Sequence, residues 1–276
     1  MLTEVITQLR PGEWLIHVPE LAPHTEWFDH QYWLNQGRVL GANAGRGSAW
    51  MVKSPDGKWM LRHYFRGGMP ARINRDKYLW QGLDKSRAIA EWRLLRRMRA
   101  EGLPVPAPVA ARVHKTGWFY QADILMEYVP HERTFSRFLT ESTAFLDGAV
   151  WRQVGEAIGL LHGHGYFHAD LNAHNILLAP EQAWLIDFDR GRYMQSFASK
   201  SGSSALTAWQ KKNLKRLRRS IDKVTSNHAK YPSGQTDTAN TEPGARWRDL
   251  MDGYASGRQQ AARRLSEQTL SGQKKA

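Results

Sequence analysis

Apolar residues recur with strand-like spacing through the first half of the chain and helix-like spacing through the second, with glycines and prolines punctuating both. A short strand is expected at Trp14–Val18, then a loop and a helical turn in a stretch broken by Pro19 and Pro23. Two strand-like runs flank a glycine cluster within Val39–Val52. Ser54-Pro55-Asp56-Gly57 reads as a hairpin turn and Lys58–Phe65 as the next strand. From Asp84 the period changes. Ile89, Trp92, Leu95 and Met98 fall at i, i+3, i+6 and i+9, predicting a helix that Gly102 and Pro104 stop. Strands follow at Val109–His114 and Trp118–Ile124, and Leu125–Val129 reads as a buried strand running into the breaker Pro130.

Past Pro130, helices are expected at Phe135–Leu139 and Ala149–His162, the latter with Val150, Val154, Ile158 and Leu161 in one stripe. Leu206–Val224 reads as a basic amphipathic helix with Leu214, Leu217, Ile221 and Val224 on one side. It is either a solvated packing helix or a contact for an anionic lipid surface. From Thr225 polar residues dominate, so a poorly ordered tail with one short helix around Arg246–Gln260 is expected. The pattern divides the chain into an N-terminal lobe over 1–130, a C-terminal lobe over 131–224 and a polar tail over 225–276.

The stretch Tyr166–Arg190 carries the chemistry. It holds His168-x-Asp170, Asn175 five residues after that aspartate, an apolar run at Ile176–Leu178, a turn at Pro180–Gln182, a second run at Trp184–Ile186, and Asp187-Phe188-Asp189. This is the layout of a kinase catalytic loop followed by a metal-binding aspartate. Phosphoryl transfer from ATP requires a carboxylate near the attacking hydroxyl, which Asp170 supplies, and oxygen ligands for Mg²⁺, which Asn175 and Asp187 supply. A hairpin formed by the two apolar runs would bring Asp187 back beside Asn175.

With that loop in place, other residues acquire candidate roles. Gly45 and Gly47, between two strands, allow close backbone approach to phosphates. Arg62 stands where a kinase strand presents a lysine to the α- and β-phosphates; a guanidinium can bind phosphate bidentately, but Arg62 reads equally as a surface charge on an edge strand. Glu91 is the acid that could reach that cation, or an exposed helical residue paired with nearby arginines. Glu127 lies in Leu125–Pro130, where a kinase holds adenine through backbone groups.

Composition adds exclusions. The 276 residues contain 39 Lys+Arg against 26 Asp+Glu, a net charge of +13, which attracts polyanions without choosing among nucleic acid, membrane and phosphorylated substrate. No helix-turn-helix, zinc or RNA-binding signature accompanies the charge, so nucleic acid is not an expected partner. The absence of cysteine removes disulfides, thiolate metal sites and cysteine nucleophiles. No stretch is long and apolar enough to span a bilayer, and Met1-Leu2-Thr3-Glu4 lacks the plan of a signal peptide, so the chain is expected to be made and kept in the cytosol.

The chain resembles the lipopolysaccharide kinase family of the protein-kinase-like superfamily. The resemblance rests on Gly45-Arg46-Gly47-Ser48-Ala49-Trp50, Leu61-Arg62-His63-Tyr64-Phe65-Arg66-Gly67-Gly68, Glu91-Trp92-Arg93-Leu94-Leu95, Gly102–Pro106 and His168–Arg192, and covers about residues 30–224. It implies an α+β, two-lobed protein-kinase-like fold, with an N-terminal antiparallel sheet and one helix and a mainly helical C-terminal lobe. The implied reaction is phosphorylation of the 4-hydroxyl of a 3-deoxy-D-manno-octulosonic acid (Kdo) residue on a lipid A precursor. ATP and Mg²⁺ are the implied cofactors, and the cytoplasmic face of the inner membrane the implied location, with the protein peripheral to it. A heptose or other small-molecule acceptor is the alternative; the number of subunits is left open. On the family pattern, Asp170 matches the catalytic aspartate, with His168 counted as catalytic beside it, Asn175 and Asp187 the metal ligands, and Arg62 with Glu91 the lysine–glutamate pair. Ala169 and Asp189 depart from protein kinases, which weakens any expectation of phosphorylation-switched control.

Overall fold

The computed structural model describes residues 3–42, 49–66, 76–141, 147–194, 205–229 and 244–273, which form two compact units. One comprises Met1–Glu101 and Pro106–Val129, the other Gly102–Val105 and Pro130–Ala276.

The first unit is built on an antiparallel sheet. Its strands are β1 (Val5–Arg10), β2 (Glu13–His17), β3 (Val39–Ala42), β4 (Ala49–Ser54), β5 (Gly57–His63), β6 (Tyr78–Leu79), β7 (Pro108–Thr116) and β8 (Phe119–Glu127). They run in the order β1-β2-β7-β8-β5-β4-β3, with β6 on β8. Alternation along β2, β5 and β8 sends Leu15, Trp59, Leu61 and Leu125 into a core closed by Trp33 of the short helix α1 (His30–Asn35). Trp27 and Trp33 meet Trp59 edge-on, at 5.1 and 6.3 Å between ring centres. The helix α2 (Arg87–Ala100) buries Ile89, Trp92, Leu95 and Met98, the four residues of the predicted stripe. It begins three residues later than the pattern implied, because Leu83–Lys85 form a 3₁₀ turn and Ser86 is extended. The structure adds β1, an edge strand whose mostly exposed residues carry no apolar alternation. It pairs with β2 across Gly12, whose φ of +86° and closeness to the Lys115 carbonyl leave no room for a side chain.

The second unit is mainly helical. It contains β9 (Arg133–Thr134), α3 (Phe135–Phe138), α4 (Gly148–Gly163), β10 (Tyr166–Phe167), β11 (Ile176–Leu178), β12 (Ala183–Leu185), β13 (Arg192–Tyr193), α5 (Ala208–Ala229) and α6 (Ala245–Gln273). Asp147 caps α4 by accepting from the amides of Ala149 and Val150. The sequence led us to expect a poorly ordered tail with one short helix around Arg246–Gln260; residues 230–243 of it lie outside the described residues, and the helix is longer, α6 running over Ala245–Gln273, packing along α4 and burying Leu250, Tyr254 and Ala261. The polar composition concealed a contact made by small residues. A Cβ at Gly155 would fall on the Leu250 carbonyl, one at Gly159 on the Tyr254 carbonyl, one at Gly253 on the Arg152 carbonyl and one at Gly257 on the Glu156 carbonyl. Glycine every fourth residue on both helices lets the two backbones touch, replacing large apolar side chains as the contact. Among the described residues, no helix is long and apolar enough to cross a membrane.

Candidate active site

The loop after β10 is fixed from within. His168 is fully buried; its Nε2–H donates to the Ile186 carbonyl at 2.9 Å, and its Nδ1 accepts from the Asp170 amide at 3.1 Å. These partners set the tautomer, and burial pushes the imidazole's pKa down, so the ring is neutral. It packs on Phe188 with ring centres 4.6 Å apart. His168 therefore ties the Asp170 loop to the Asp187 segment, a positioning task, and its two ring nitrogens are spent on it.

Asn213 of α5 clamps the same point. Its Nδ2 donates to the His168 carbonyl at 2.8 Å, while its Oδ1 accepts from the His168 amide and from His162 Nε2, each at 3.2 Å. Tyr254 of α6 completes the chain by donating to His162 Nδ1 at 3.0 Å. Burial pushes the His162 pKa down to about 3, so this network is neutral, and both groups of the His168 peptide are satisfied.

Asn175 Nδ2 donates to the Asp170 carbonyl at 3.0 Å, which leaves the amide oxygen as the end available to a cation. The β11–β12 hairpin pairs Ile176 with Leu185, and the Ile186 amide donates to the Asn175 carbonyl at 3.1 Å. Asp187 follows directly, with φ +64°, a left-handed conformation rare for a non-glycine residue. Asp170, Asn175 and Asp187 are thus brought together by backbone pairing. The set suits Mg²⁺, which binds one or two carboxylates and completes its shell with phosphate and water. Among the described residues no group of three or more His, Cys, Asp or Glu side chains is placed to hold a metal ion.

In the first unit, Arg62 of β5 and Glu91 of α2 form an ion pair with Nη2 and Oε2 2.5 Å apart, and Tyr64 donates to the same Oε2 at 2.6 Å. Glu91 is buried rather than on a solvated helix face, and Arg62 belongs to a central strand, with a side chain only 16% exposed. The guanidinium also lies over the Tyr64 ring at 4.8 Å. Burial, then the Glu91 charge, holds the Tyr64 phenol well above its ordinary pKa, so it stays a donor. Glu127 ends β8 with its side chain exposed and its amide bonded to the Ala107 carbonyl at 2.8 Å. Gly45 and Gly47 lie outside the described residues.

Residues 30–268 match the Lipopolysaccharide kinase (Kdo/WaaP) family. The chain belongs to this family. It is 44% identical over 199 residues to a 3-deoxy-D-manno-octulosonic acid kinase of Stenotrophomonas maltophilia strain K279a, covering 71% of this chain and 74% of that protein. It is 38% identical over 241 residues to the protein of that name from Haemophilus influenzae strain PittEE, covering 83% and 90%. A solved structure of WaaP in complex with acyl carrier protein superposes with a TM-score of 0.43 at 16% identity, covering 82% of this chain and 89% of that one.

Two residues of this lipopolysaccharide kinase escaped the sequence reading. Arg216 of α5 donates from Nε to Asp170 Oδ1 at 2.9 Å, with Nη2 on the same oxygen. In sequence it is one cation among seven in the basic helix, and nothing there separates it from its neighbours. Asn213 left a faint signal: with Gln210 it is a buried polar residue on the face that also buries Leu214, Leu217 and Ile221. Beside the Arg216–Asp170 pair lies a pocket of about 680 Å³, lined by the 170–174 loop and by Arg219 and Lys223 of α5.

Proposed function

We infer that this lipopolysaccharide kinase transfers the γ-phosphoryl group of ATP to the 4-hydroxyl of a Kdo residue on a lipid A precursor. The observation carrying the reading is the assembled loop, in which Asp170, Asn175 and Asp187 are fixed by His168, Asn213 and the β11–β12 pairing.

The Asp170 carboxylate accepts the proton of the acceptor hydroxyl as its oxygen bonds to phosphorus and ADP leaves. Asn175 and Asp187 would hold Mg²⁺, which neutralises phosphate charge when bound. Arg62 offers the α- and β-phosphates a guanidinium that Glu91 and Tyr64 keep oriented. Gly45 and Gly47 would cover the phosphates, and the backbone at Glu127 would meet the adenine. Arg216 holds Asp170 and places positive charge where phosphoryl charge develops. Lys211, Lys212 and Lys215, all exposed on α5, provide a contact for an anionic inner-membrane surface.

The test is purified protein with labelled ATP, Mg²⁺ and a Kdo-bearing lipid A precursor, against the same precursor without Kdo and a heptose-terminated acceptor. Label confined to the Kdo-bearing acceptor supports the reading. Equal labelling of the precursor without Kdo, or labelling of the heptose acceptor alone, overturns it.

A further inference from the structure

We propose that Arg219 and Lys223 form the acceptor-carboxylate site of this kinase, so that the pocket beside Asp170 selects an acidic sugar over a neutral one. The proposal rests on the Kdo reading above and deepens it.

The pocket is open to solvent, and its chemistry is one-sided. Among the described residues Asp170 is its single carboxylate, already held by Arg216, whereas Arg216, Arg219, Lys223 and His174 supply basic side chains. Among the described residues neither Arg219 nor Lys223 is ion-paired; Arg219 makes a long contact from Nε to the Lys215 carbonyl, at 3.4 Å. Two cations without a carboxylate partner in a concave site create a positive field that attracts an anion.

Spacing narrows the choice. Arg219 and Lys223 follow Arg216 by three and seven residues on one face of α5, about 5 and about 10 Å along the axis at 1.5 Å per residue. A sugar whose reacting hydroxyl meets Asp170 can turn one of its two next-but-one ring carbons toward Arg219 and Lys223. In a 2-keto-3-deoxy sugar acid that carries its phosphate at the 4-position, one of these bears the carboxylate and the other an uncharged side chain, and the carboxylate is the group that complements the two cations. A guanidinium binds a carboxylate with two parallel bonds, and the ammonium adds a point charge. Ser220, between them on the same face, lines the pocket but donates nothing ionic.

Lipid A phosphates are the other anions that such cations could take, so the experiment removes them. The acceptor is a deacylated, dephosphorylated Kdo-glucosamine oligosaccharide, used without membranes, alongside its C1 carboxamide. Wild-type enzyme should lose about 10- to 100-fold in kcat/KM on the carboxamide, mainly through KM, as expected when a charge-assisted bidentate contact is lost. Arg219→Gln/Lys223→Gln should be comparably slow on the acid, and its preference for acid over carboxamide should fall toward one. Both side chains are exposed, so the fold should survive, and the carboxamide on unaltered enzyme tests the contact without any variant. Equal wild-type rates on acid and carboxamide overturn the proposal, as does a variant that is slowed only on phosphorylated acceptor. If wild-type enzyme labels no Kdo acceptor in any form, the Kdo reading itself falls and this site with it.

Discussion

Arg216 donates twice to a single oxygen of Asp170, joining α5 to the loop that carries the proposed catalytic carboxylate. Both side chains are partly solvent-exposed, 49% and 39%, so the pair contributes little to stability and its worth lies in orientation. Arg216→Gln should lower kcat about 100-fold, within the range for removing a charge-stabilising donor, with the thermal midpoint nearly unchanged. Arg216→Lys should restore part of kcat, since it returns the charge without the fork. Equal kcat in the Gln and Lys variants would remove charge from the explanation.

Asp187→Ala and Asp170→Asn should fail in different ways. The first strips a proposed metal ligand, so the Mg²⁺ concentration for half-maximal rate should rise, and added Mg²⁺ should recover part of the loss. The second removes the proposed proton acceptor, so kcat should fall about 10²- to 10⁴-fold at any Mg²⁺ concentration, with ATP binding retained. Titrating Mg²⁺ against rate for both variants separates them. An Asp187→Ala defect confined to acceptor KM would contradict the assignment.

The network under the loop has a pH signature. His162 has a folded-state pKa of about 3 against 6.5 unfolded, because burial disfavours its cation. A depressed pKa means that the unfolded chain takes up a proton that the folded chain refuses. The resulting stabilisation is complete above pH 6.5 and is lost as pH falls from 6.5 toward 3, at about 1.4 kcal/mol per pH unit. His168, also lowered by burial, acts in the same direction. His162→Gln removes one such group, so the stability difference between wild type and variant should shrink on acidification through that window. Urea unfolding at several pH values measures it; a constant difference would mean that His162 is not buried and neutral.

How much of this was legible follows from where each signal lives. Apolar period placed α2 and α4 because Ile89, Trp92, Leu95 and Val154, Ile158, Leu161 are buried on one stripe each. The order His168, Asp170, Asn175, Asp187 revealed the loop because its spacing is dictated by chemistry. The Arg62–Glu91 contact spans 29 residues and needed only a strand and a helix to be placed correctly. By contrast the length and packing of α6 were obscured because glycine and serine signal turns locally, and their use as a close-packing surface depends on a partner about 100 residues away. Arg216 was obscured for the same reason: its partner is 46 residues upstream, and charge patterning along a helix does not indicate which cation faces inward.

The glycine seam itself can be tested. Gly257→Ala would put a Cβ on the Glu156 carbonyl and 2.8 Å from the Leu160 amide nitrogen, and backbone cannot move aside as a side chain would. Forcing α6 away from α4 should cost about 1–3 kcal/mol or more. Gly244→Ala, with nothing within 4 Å of the added methyl, is the matched control and should be close to neutral. Thermal unfolding of the two variants decides; equal midpoints would mean that α6 does not lie on α4 in solution.

On the proposed reading the acceptor sugar is lipid-borne, no described helix can cross a membrane, and α5 divides the task of reaching that sugar. Arg216 and Arg219 line the pocket at Asp170 and so cannot be counted simply as surface charge, although the sequence grouped them with the other cations of the helix. Lys211, Lys212 and Lys215 lie in the preceding turns and are exposed. Each cation near an anionic leaflet is worth about 1 kcal/mol, fading within a Debye length, so replacing all three with Gln should weaken binding to anionic vesicles about a hundredfold at low salt. At high salt, screening should bring wild type and variant together. The rate on acceptor embedded in those vesicles should drop more than the rate on the same acceptor deacylated, because only the first depends on reaching the surface. Co-sedimentation at two salt concentrations, paired with both rates, carries the test. Unchanged sedimentation would show that α5 only packs within its unit and presents the pocket. The next residue to vary as a proposed surface contact would be Trp118, 82% exposed at the turn between β7 and β8.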